Sequence, residues 1–355
     1  MTMHLNHRAV DIPSARGTVA IGFVSGMLSG IKSQGMDLKP FLTVIRLTPD
    51  ILDDPSARVP LAAYAALYNH LVRVLDDEGF GLFSVKLRGG MFEFLCRSMI
   101  GSRDLAEALG RAAQFLRLVL PDFALSVEKD HLSAKIEIVE TGVLGTHRDD
   151  PRRIFAFEWL LRLVHALACW LVGRSIPLDS IQFPYSKPPQ ASDYALIYTE
   201  HAAFAGDRLE ARLQTNLLAL IARRDHNDVP NFLEGAPGKI ATLYRRDREM
   251  VRQIRDILAA DLTAQPDLEE VAARLHLSLR TVQRRLELEG SSFRAIKSAL
   301  RRDIALARVE KSVLPIAGIA LELGYAEPSA FFRAFVDWTG ESPTRYRKRH
   351  RSPSP

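Results

Sequence analysis

Basic and amide side chains recur at helical spacing in the segment RTVQRRL, residues 280–286. If this segment is a helix, Arg280, Gln283 and Arg284 share its outward side, because residues three and four apart are neighbours on a helix. An arginine guanidinium can donate two hydrogen bonds to guanine O6 and N7, and a glutamine amide can pair with adenine N6 and N7. This row therefore has the chemistry to recognise base edges; the alternative is a solvated charged face.

Residue patterns typical of enzymes are weaker. The segment GFVSG (22–26) lacks the spacing of a G-x-S-x-G nucleophile elbow, and RGG (88–90) is too short for a phosphate-binding loop. The ten histidines show no metal-ligand spacing with Cys, Asp or Glu. His165 lies in an apolar run, so we interpret it as a core histidine, with a pocket-lining role as the alternative. The sequence thus predicts no catalytic residue, no metal and no cofactor.

The segment around Arg280 belongs to a pattern that the chain repeats. LEEVAARLHLS (268–278) aligns with IAGIALELGYA (316–326), and RTVQRRL aligns with SAFFRAF (329–335). Each copy predicts a helix, a tight turn and a second helix, which is the helix-turn-helix pattern. Two copies joined by a long basic helix over 292–310 favour DNA binding over the alternative of packed core helices.

The second copy differs from the first in its outward side chains. The shared register places Ser329, Phe332 and Arg333 at the three outward positions of the second recognition helix. Phe332 occupies the position that corresponds to the polar Gln283 of the first helix. It either touches a thymine methyl or enlarges the core. Because it offers fewer hydrogen-bonding groups, the second motif is expected to discriminate bases less than the first.

Residues 250–348 resemble the DNA-binding domain of the AraC/XylS family of bacterial transcription regulators, through IAGIALELGY, FFRAF and GESPTRYR. The resemblance implies a double helix-turn-helix domain that binds double-stranded DNA. The base-reading positions that it implies in the first motif are Arg280, Gln283 and Arg284. Other side chains of that motif are predicted to contact phosphates, which position a protein on DNA without specifying sequence. These are Ser278, Thr281 and Arg285.

The N-terminal part mixes helical and strand patterns, which predicts an α+β fold. FALSVEKDHLSAKIEI (123–138) alternates apolar and polar residues around a turn and predicts a hairpin, and SIQF (180–183) predicts a short strand. Ser102 is predicted to cap one of the helices. Apolar spacing predicts helices near 18–33, 61–77, 103–120 and 152–172.

The same part resembles the effector-binding domain of the subgroup that includes regulators of ornithine use. DPSARVPLAAY (54–64), GFGL (79–82) and DLAEAL (104–109) follow that domain's order of motifs. FSVKLRGGMFEFLCRSMIG (83–101) departs from its glycine- and leucine-rich stretch, so the subgroup's ligand is not carried over. The resemblance implies a small-molecule effector in this domain.

Positive charge is concentrated in the last third of the chain. From residue 240 onward there are 21 Lys and Arg and 15 Asp and Glu, of 47 and 42 in total, which leaves 26 and 27 for the rest. The C-terminal part alone is therefore expected to attract a polyanion. A polar stretch rich in proline and glycine (223–239) separates the parts. The predicted divisions are an effector-binding and dimerisation domain (1–225), a linker (226–244) and an all-α DNA-binding domain (245–350).

Together these features predict a DNA-binding transcription regulator, an activator controlled by a small-molecule effector, and not an enzyme. Its expected partners are promoter DNA, RNA polymerase, the effector and a second copy of the chain. The alternatives are a dimeric regulator without an effector and a DNA-targeted enzyme. Cys96 and Cys169 are too few for a secreted disulfide scaffold, and charges interrupt the apolar run 155–173. The chain is therefore expected in the cytoplasm, away from membranes.

Overall fold

The computed structural model describes residues 18–131, 133–234, 249–260, 266–289 and 291–350. Within them a mixed α/β part is followed by an all-helical part, which confirms the predicted fold class. The N-terminal helices are α1 (Ile21–Ser33), α2 (Lys39–Thr43), α3 (Leu61–Leu75), α4 (Met91–Met99), α5 (Leu105–Val119), α6 (Pro151–Val172), α7 (Tyr194–Ile197) and α8 (Asp228–Leu233).

Two sheets accompany these helices. The strands are β1 (Thr18–Ala20), β2 (Arg58–Pro60), β3 (Phe123–Lys129), β4 (Ser133–Glu140), β5 (Ser180–Gln182), β6 (Ala202–Ala203) and β7 (Leu209–Gln214). β1 pairs with β2, and the larger sheet has the order β3-β4-β7-β5-β6, with β5 and β6 parallel. The predicted hairpin is confirmed as β3 and β4, and the predicted strand at 180–183 as β5.

Some local predictions were wrong. The predicted helix over 18–33 is wrong in its first three residues, which form β1 because they pair with Arg58–Pro60. Ser102 does not cap α5; the carboxylate of Asp104 accepts the hydrogen bond from the Glu107 N–H instead. Ser102 is buried, and its hydroxyl donates to the Met99 carbonyl of the preceding helix.

Helix α6 forms the centre of the N-terminal core. It begins at Pro151, after an Asp150 cap, and ends at Val172, where the next residue, Gly173, has a left-handed φ of 70°. This helix is long and apolar enough to cross a membrane, but it is buried throughout that stretch inside the domain. Its buried polar residues include His165, whose Nε2 lies 2.7 Å from the Ile176 carbonyl. The core position predicted for His165 agrees with this burial.

A short helix lies inside the segment predicted to be a linker. Helix α8 covers 228–233, and the ring of its Phe232 stacks on Trp170 of α6 at a centroid distance of 4.2 Å. Phe232 is therefore part of the N-terminal core, because its ring is buried there. The rest of the predicted linker, from 235 to 244, lies outside the described residues.

The C-terminal part consists of helices only in its described residues. They are α9 (Glu249–Ala260), α10 (Leu268–Arg274), α11 (Leu279–Leu288), α12 (Phe293–Lys311), α13 (Ile316–Glu322), α14 (Pro328–Thr339) and α15 (Pro343–His350). One hydrophobic cluster packs α9, α10 and α11 against the first half of α12. A second cluster packs α13, α14 and α15 against the second half of α12. Ile304 of α12 packs against both clusters, so this helix connects them.

Buried ion pairs join α12 to the N-terminal part. Arg302 Nη2 lies 2.6 Å from Asp193 Oδ1, and Arg58 bridges Asp193 and Asp303 at 3.1 and 3.2 Å. Burial by itself raises the pKa of Asp193, but the charges of Arg302 and Arg58 outweigh it and hold that pKa well below its usual range. We call Arg58, Asp193, Arg302 and Asp303 the interdomain ion pairs. They fix the position of α12 against the N-terminal domain.

Phe335→Ala should lower the free energy of unfolding of the C-terminal domain by about 3–5 kcal/mol. The substitution removes a fully buried ring that packs against Phe331 and Tyr346 and leaves a cavity. Val336→Ala is the control, because the Val336 side chain is 41% exposed and its loss should cost less than about 1 kcal/mol. Denaturant titrations of the full chain followed by circular dichroism compare them; equal losses would contradict this account of the core.

Glu158→Gln should become more stabilising as the pH rises. Burial raises the pKa of Glu158 to about 7, against the hydrogen bonds from Tyr194 and Gln190. The folded protein therefore favours the neutral acid. As the pH rises from the unfolded-state pKa of this group to about 7, the unfolded chain loses the proton first, and the stability of the wild-type protein falls. Glutamine stays neutral, so the difference from wild type should grow by about 2 kcal/mol from pH 5.5 to pH 8. Denaturant titrations at several pH values measure it, and a difference independent of pH would refute the shift.

Candidate nucleic-acid interface

The first helix-turn-helix motif comprises α10 and α11. A capping box starts α10: the Asp267 carboxylate accepts from the Glu270 N–H at 2.9 Å, and the Glu270 carboxylate accepts from the Asp267 N–H at 3.0 Å. Because the box satisfies amide groups that the helix leaves free, α10 begins at a defined residue.

The turns of the two motifs have the same backbone hydrogen bonds. In the first, the Leu277 N–H returns to the Ala272 carbonyl at 3.0 Å, and His276 has a φ of 53°. In the second, between α13 and α14, the Tyr325 N–H returns to the Ala320 carbonyl at 2.9 Å. Gly324 takes the left-handed position there, with a φ of 75°. These matched turns confirm the repeat in three dimensions.

Helix α11 presents the predicted row of side chains to solvent. Val282 and Leu286 are buried against α10, whereas Arg280, Gln283 and Arg284 are exposed. Neither of these arginines forms an ion pair with another residue that the structure describes. Their guanidinium groups are therefore available to a ligand, on a helix whose inner side is held in place by apolar packing.

The predicted phosphate contacts flank this row. The Ser278 hydroxyl accepts a hydrogen bond from the Thr281 N–H at 3.1 Å and shares another with the Thr281 hydroxyl at 2.7 Å. Ser278 thus acts as the helix cap, and both hydroxyls lie at the end of α11 where backbone N–H groups face outward. Arg285 is exposed beside them.

Helix α14 presents a poorer surface. Pro328 is at its first position, where no backbone N–H is needed, and Ser329 and Arg333 are exposed. The Ser329 hydroxyl donates to the Glu327 carboxylate at 3.2 Å. Phe332 is half-buried and packs against the cluster that contains Phe331, so its ring contributes to the core and still leaves one edge in solvent.

Helix α12 separates the two recognition helices. It has 19 residues, which corresponds to a length of about 28 Å at 1.5 Å per residue. Phe293, Ile296 and Leu300 pack into the first cluster, and Leu306 and Val309 pack into the second. Since both ends are fixed by packing, α12 acts as a rigid spacer.

Helix α15 adds basic side chains that our sequence analysis did not select. Arg345 and Lys348 are exposed on it, with Arg345 Nε 3.7 Å from the Glu341 carboxylate, while Arg347 donates through Nε to the Val309 carbonyl at 3.1 Å. Arg349 pairs with Asp54 of the N-terminal domain at 2.9 Å and is therefore engaged. The run RYRKR (345–349) is the sequence signal for a basic surface here. The sequence alone does not show which of these side chains are exposed to solvent and which contact other parts of the protein.

Comparison with known proteins matches both parts of the chain. A family model described as the N-terminal arabinose-binding domain of AraC transcription regulators matches residues 35–221, and a helix-turn-helix domain model matches residues 271–349. The chain is similar to the ornithine utilization regulator of Pseudomonas aeruginosa, with 26% identity over 93% of this chain and 96% of that protein.

A second relative from Pseudomonas aeruginosa, the helix-turn-helix transcriptional regulator VqsM, is 40% identical over 84% of this chain and 92% of its own length. Both relatives match most of the chain, including the N-terminal part as well as the helix-turn-helix motifs. The agreement thus includes the order of the two domains. The chain therefore belongs to the AraC family of DNA-binding transcription regulators.

Proposed function

We propose that this protein is a transcription activator that binds operator DNA through both helix-turn-helix motifs and is controlled by a small-molecule effector in its N-terminal domain. The observation that carries the DNA-binding proposal is the exposed row of Arg280, Gln283 and Arg284. The helix that carries this row is held in place by apolar packing on its inner side. Such a helix fits the major groove, where these side chains can reach guanine and adenine edges.

The spacing of the motifs supports binding on one side of the duplex. Successive major grooves that face the same side are about 34 Å apart. The rigid helix α12, at about 28 Å, spans most of this distance, and its two ends pack into the clusters that hold the two recognition helices. A single chain would thus read two half-sites about one turn of DNA apart.

The proposed contacts with DNA are of two kinds: phosphate contacts, which position the protein, and base contacts, which recognise the sequence. We assign base recognition to Arg280, Gln283 and Arg284 in the first motif. Phosphate contacts are assigned to Ser278, Thr281 and Arg285, which flank that row. In the second motif the assigned residues are Ser329, Phe332 and Arg333, with Arg333 as the counterpart of Arg284.

Control by an effector is supported by the match to a ligand-binding domain and by the interdomain ion pairs. An effector that binds one arrangement of the two domains better than another shifts the population toward it. In the proposed mechanism this shift changes promoter occupancy and contact with RNA polymerase, in the cytoplasm. A second copy of the chain bound to the same promoter would add a second pair of motifs.

Arg284→Ala should weaken specific binding by about 1–3 kcal/mol and relax the preference at one base pair, because a bidentate contact to a base is lost. Arg285→Ala is the matched comparison on the neighbouring position. It should weaken binding to all sequences alike and reduce the salt dependence by about one counterion. Fluorescence anisotropy with operator and scrambled DNA at several salt concentrations separates the two; an unchanged affinity and footprint for Arg284→Ala would remove it from the base-reading set.

The two half-sites of the operator should differ in information content. The second recognition helix offers Phe332 where the first offers Gln283, so fewer base edges can be distinguished by hydrogen bonds. Selection of bound sequences from a random DNA library, followed by sequencing, yields the matrix for each half-site. Equal information in both would show that the second motif discriminates as well as the first.

A further inference from the structure

A small cavity lies in the core of the N-terminal domain, against the buried side of α6. It encloses about 20 Å³. Its walls are mostly aromatic and aliphatic, but two residues of opposite charge, Glu158 and Arg162, also line it. The other lining residues are Phe23, Tyr64, Tyr68, Phe155, Trp159 and Leu163.

Both charged side chains have an atom without a partner. Glu158 Oε2 and Arg162 Nη2 are buried and make no hydrogen bond with any described residue. The two residues lie four apart on one helix, where opposite charges usually pair. They do not pair here: Glu158 Oε1 accepts from Gln190 and Tyr194, and the Arg162 guanidinium lies 5.1 Å from the centre of the Phe23 ring.

A guanidinium nitrogen and a carboxyl oxygen without hydrogen-bond partners are costly in a protein core, because each has lost its hydration. A ligand that supplies the missing partners removes that cost. Its carboxylate would accept a hydrogen bond from Arg162 Nη2, and its ammonium group would donate one to Glu158 Oε2. The aromatic walls suit an apolar side chain next to these groups.

We propose that this cavity is the effector site and that it takes a small zwitterion, a molecule that carries a carboxylate and an ammonium group as amino acids do. The proposal rests on the effector control proposed above and names the chemical class of the effector. Arg162 is the carboxylate-binding residue, and Glu158 is the ammonium-binding residue.

Binding at this site is connected to the interdomain ion pairs through three neighbouring residues. The cavity holds about one water, so a ligand of this class must enlarge it. The ammonium group at Glu158 Oε2 would lie next to Gln190 and Tyr194, which donate to Oε1 of the same carboxyl group and flank Asp193 in the chain. Asp193 in turn holds Arg302 of α12 at 2.6 Å. Ligand entry thus displaces the segment that anchors the DNA-binding domain.

The test begins with the wild-type full-length chain and the ligand chemistry. Each of the twenty standard L-amino acids is added at millimolar concentration, and the midpoint of thermal unfolding is measured. At least one should raise Tm, by about 5 °C at a hundredfold excess over Kd. Its carboxamide and its N-acetyl derivative, which each lack one charge, should lose the shift. A panel without any shift, or derivatives that shift Tm as much as the parent, would overturn the proposal.

Two pairs of variants locate the site. Arg162→Met and Glu158→Gln should lose the Tm shift of the active amino acid. The matched controls are Arg97→Met and Glu93→Gln, which alter an exposed ion pair with the same four-residue spacing on α4 and should keep the shift. Retention of the shift in the cavity variants would place the ligand elsewhere and overturn the proposal. If a cavity variant fails to fold, the derivatives tested on the wild-type chain decide.

Operator binding by the same protein distinguishes this proposal from the function on which it rests. The active amino acid should change operator affinity several-fold in the wild-type chain, because it acts on the anchor of α12. Specific operator binding without any response to amino acids would refute the zwitterion site and leave a DNA-binding regulator. Absence of specific operator binding under all conditions would refute the regulator proposal itself.

Discussion

The long helix α12 is the constraint on which the rest of the structure depends. Its two ends complete two separate hydrophobic clusters, and each cluster holds one recognition helix in place. Its middle carries Arg302 and Asp303, which pair with the N-terminal domain. One element therefore sets the distance between the DNA-reading surfaces and also connects them to the domain that would sense a ligand. A displacement of α12 moves both recognition helices together.

The buried charges of the protein form two contrasting sets. The interdomain ion pairs are mutually compensated, so separating them leaves charges without partners in a nonpolar environment; this makes the docked arrangement specific even where its net stabilisation is small. Glu158 and Arg162 are also buried, but neither forms an ion pair with a described residue, and Glu158 Oε2 and Arg162 Nη2 have no hydrogen-bond partner there. Tyr194 and Gln190 donate hydrogen bonds to Glu158 and lie within three residues of Asp193 in the chain. This one segment thus contacts the cavity residue Glu158 and, through Asp193, the DNA-binding domain.

The sequence predicted the parts of the fold that local signals determine. Asp267 and Glu270 stand three apart before an apolar helix, and Gly324 follows another, so the motif boundaries could be predicted. Strand β7 was missed because its partners β4 and β5 are distant in sequence. The interdomain ion pairs were missed for the same reason, since Arg58, Asp193 and Arg302 are far apart in the chain. Phe332 could be placed at the edge of the core only from its packing.

The claim that one chain reads two successive major grooves on one side of DNA is tested most directly by changing the distance between the half-sites. Operator DNA with five base pairs inserted between intact half-sites turns the second half-site to the opposite side of the duplex. Because α12 is rigid and packed at both ends, the affinity measured by anisotropy should fall to that of DNA with a single half-site. An affinity unchanged by the insertion would contradict the account.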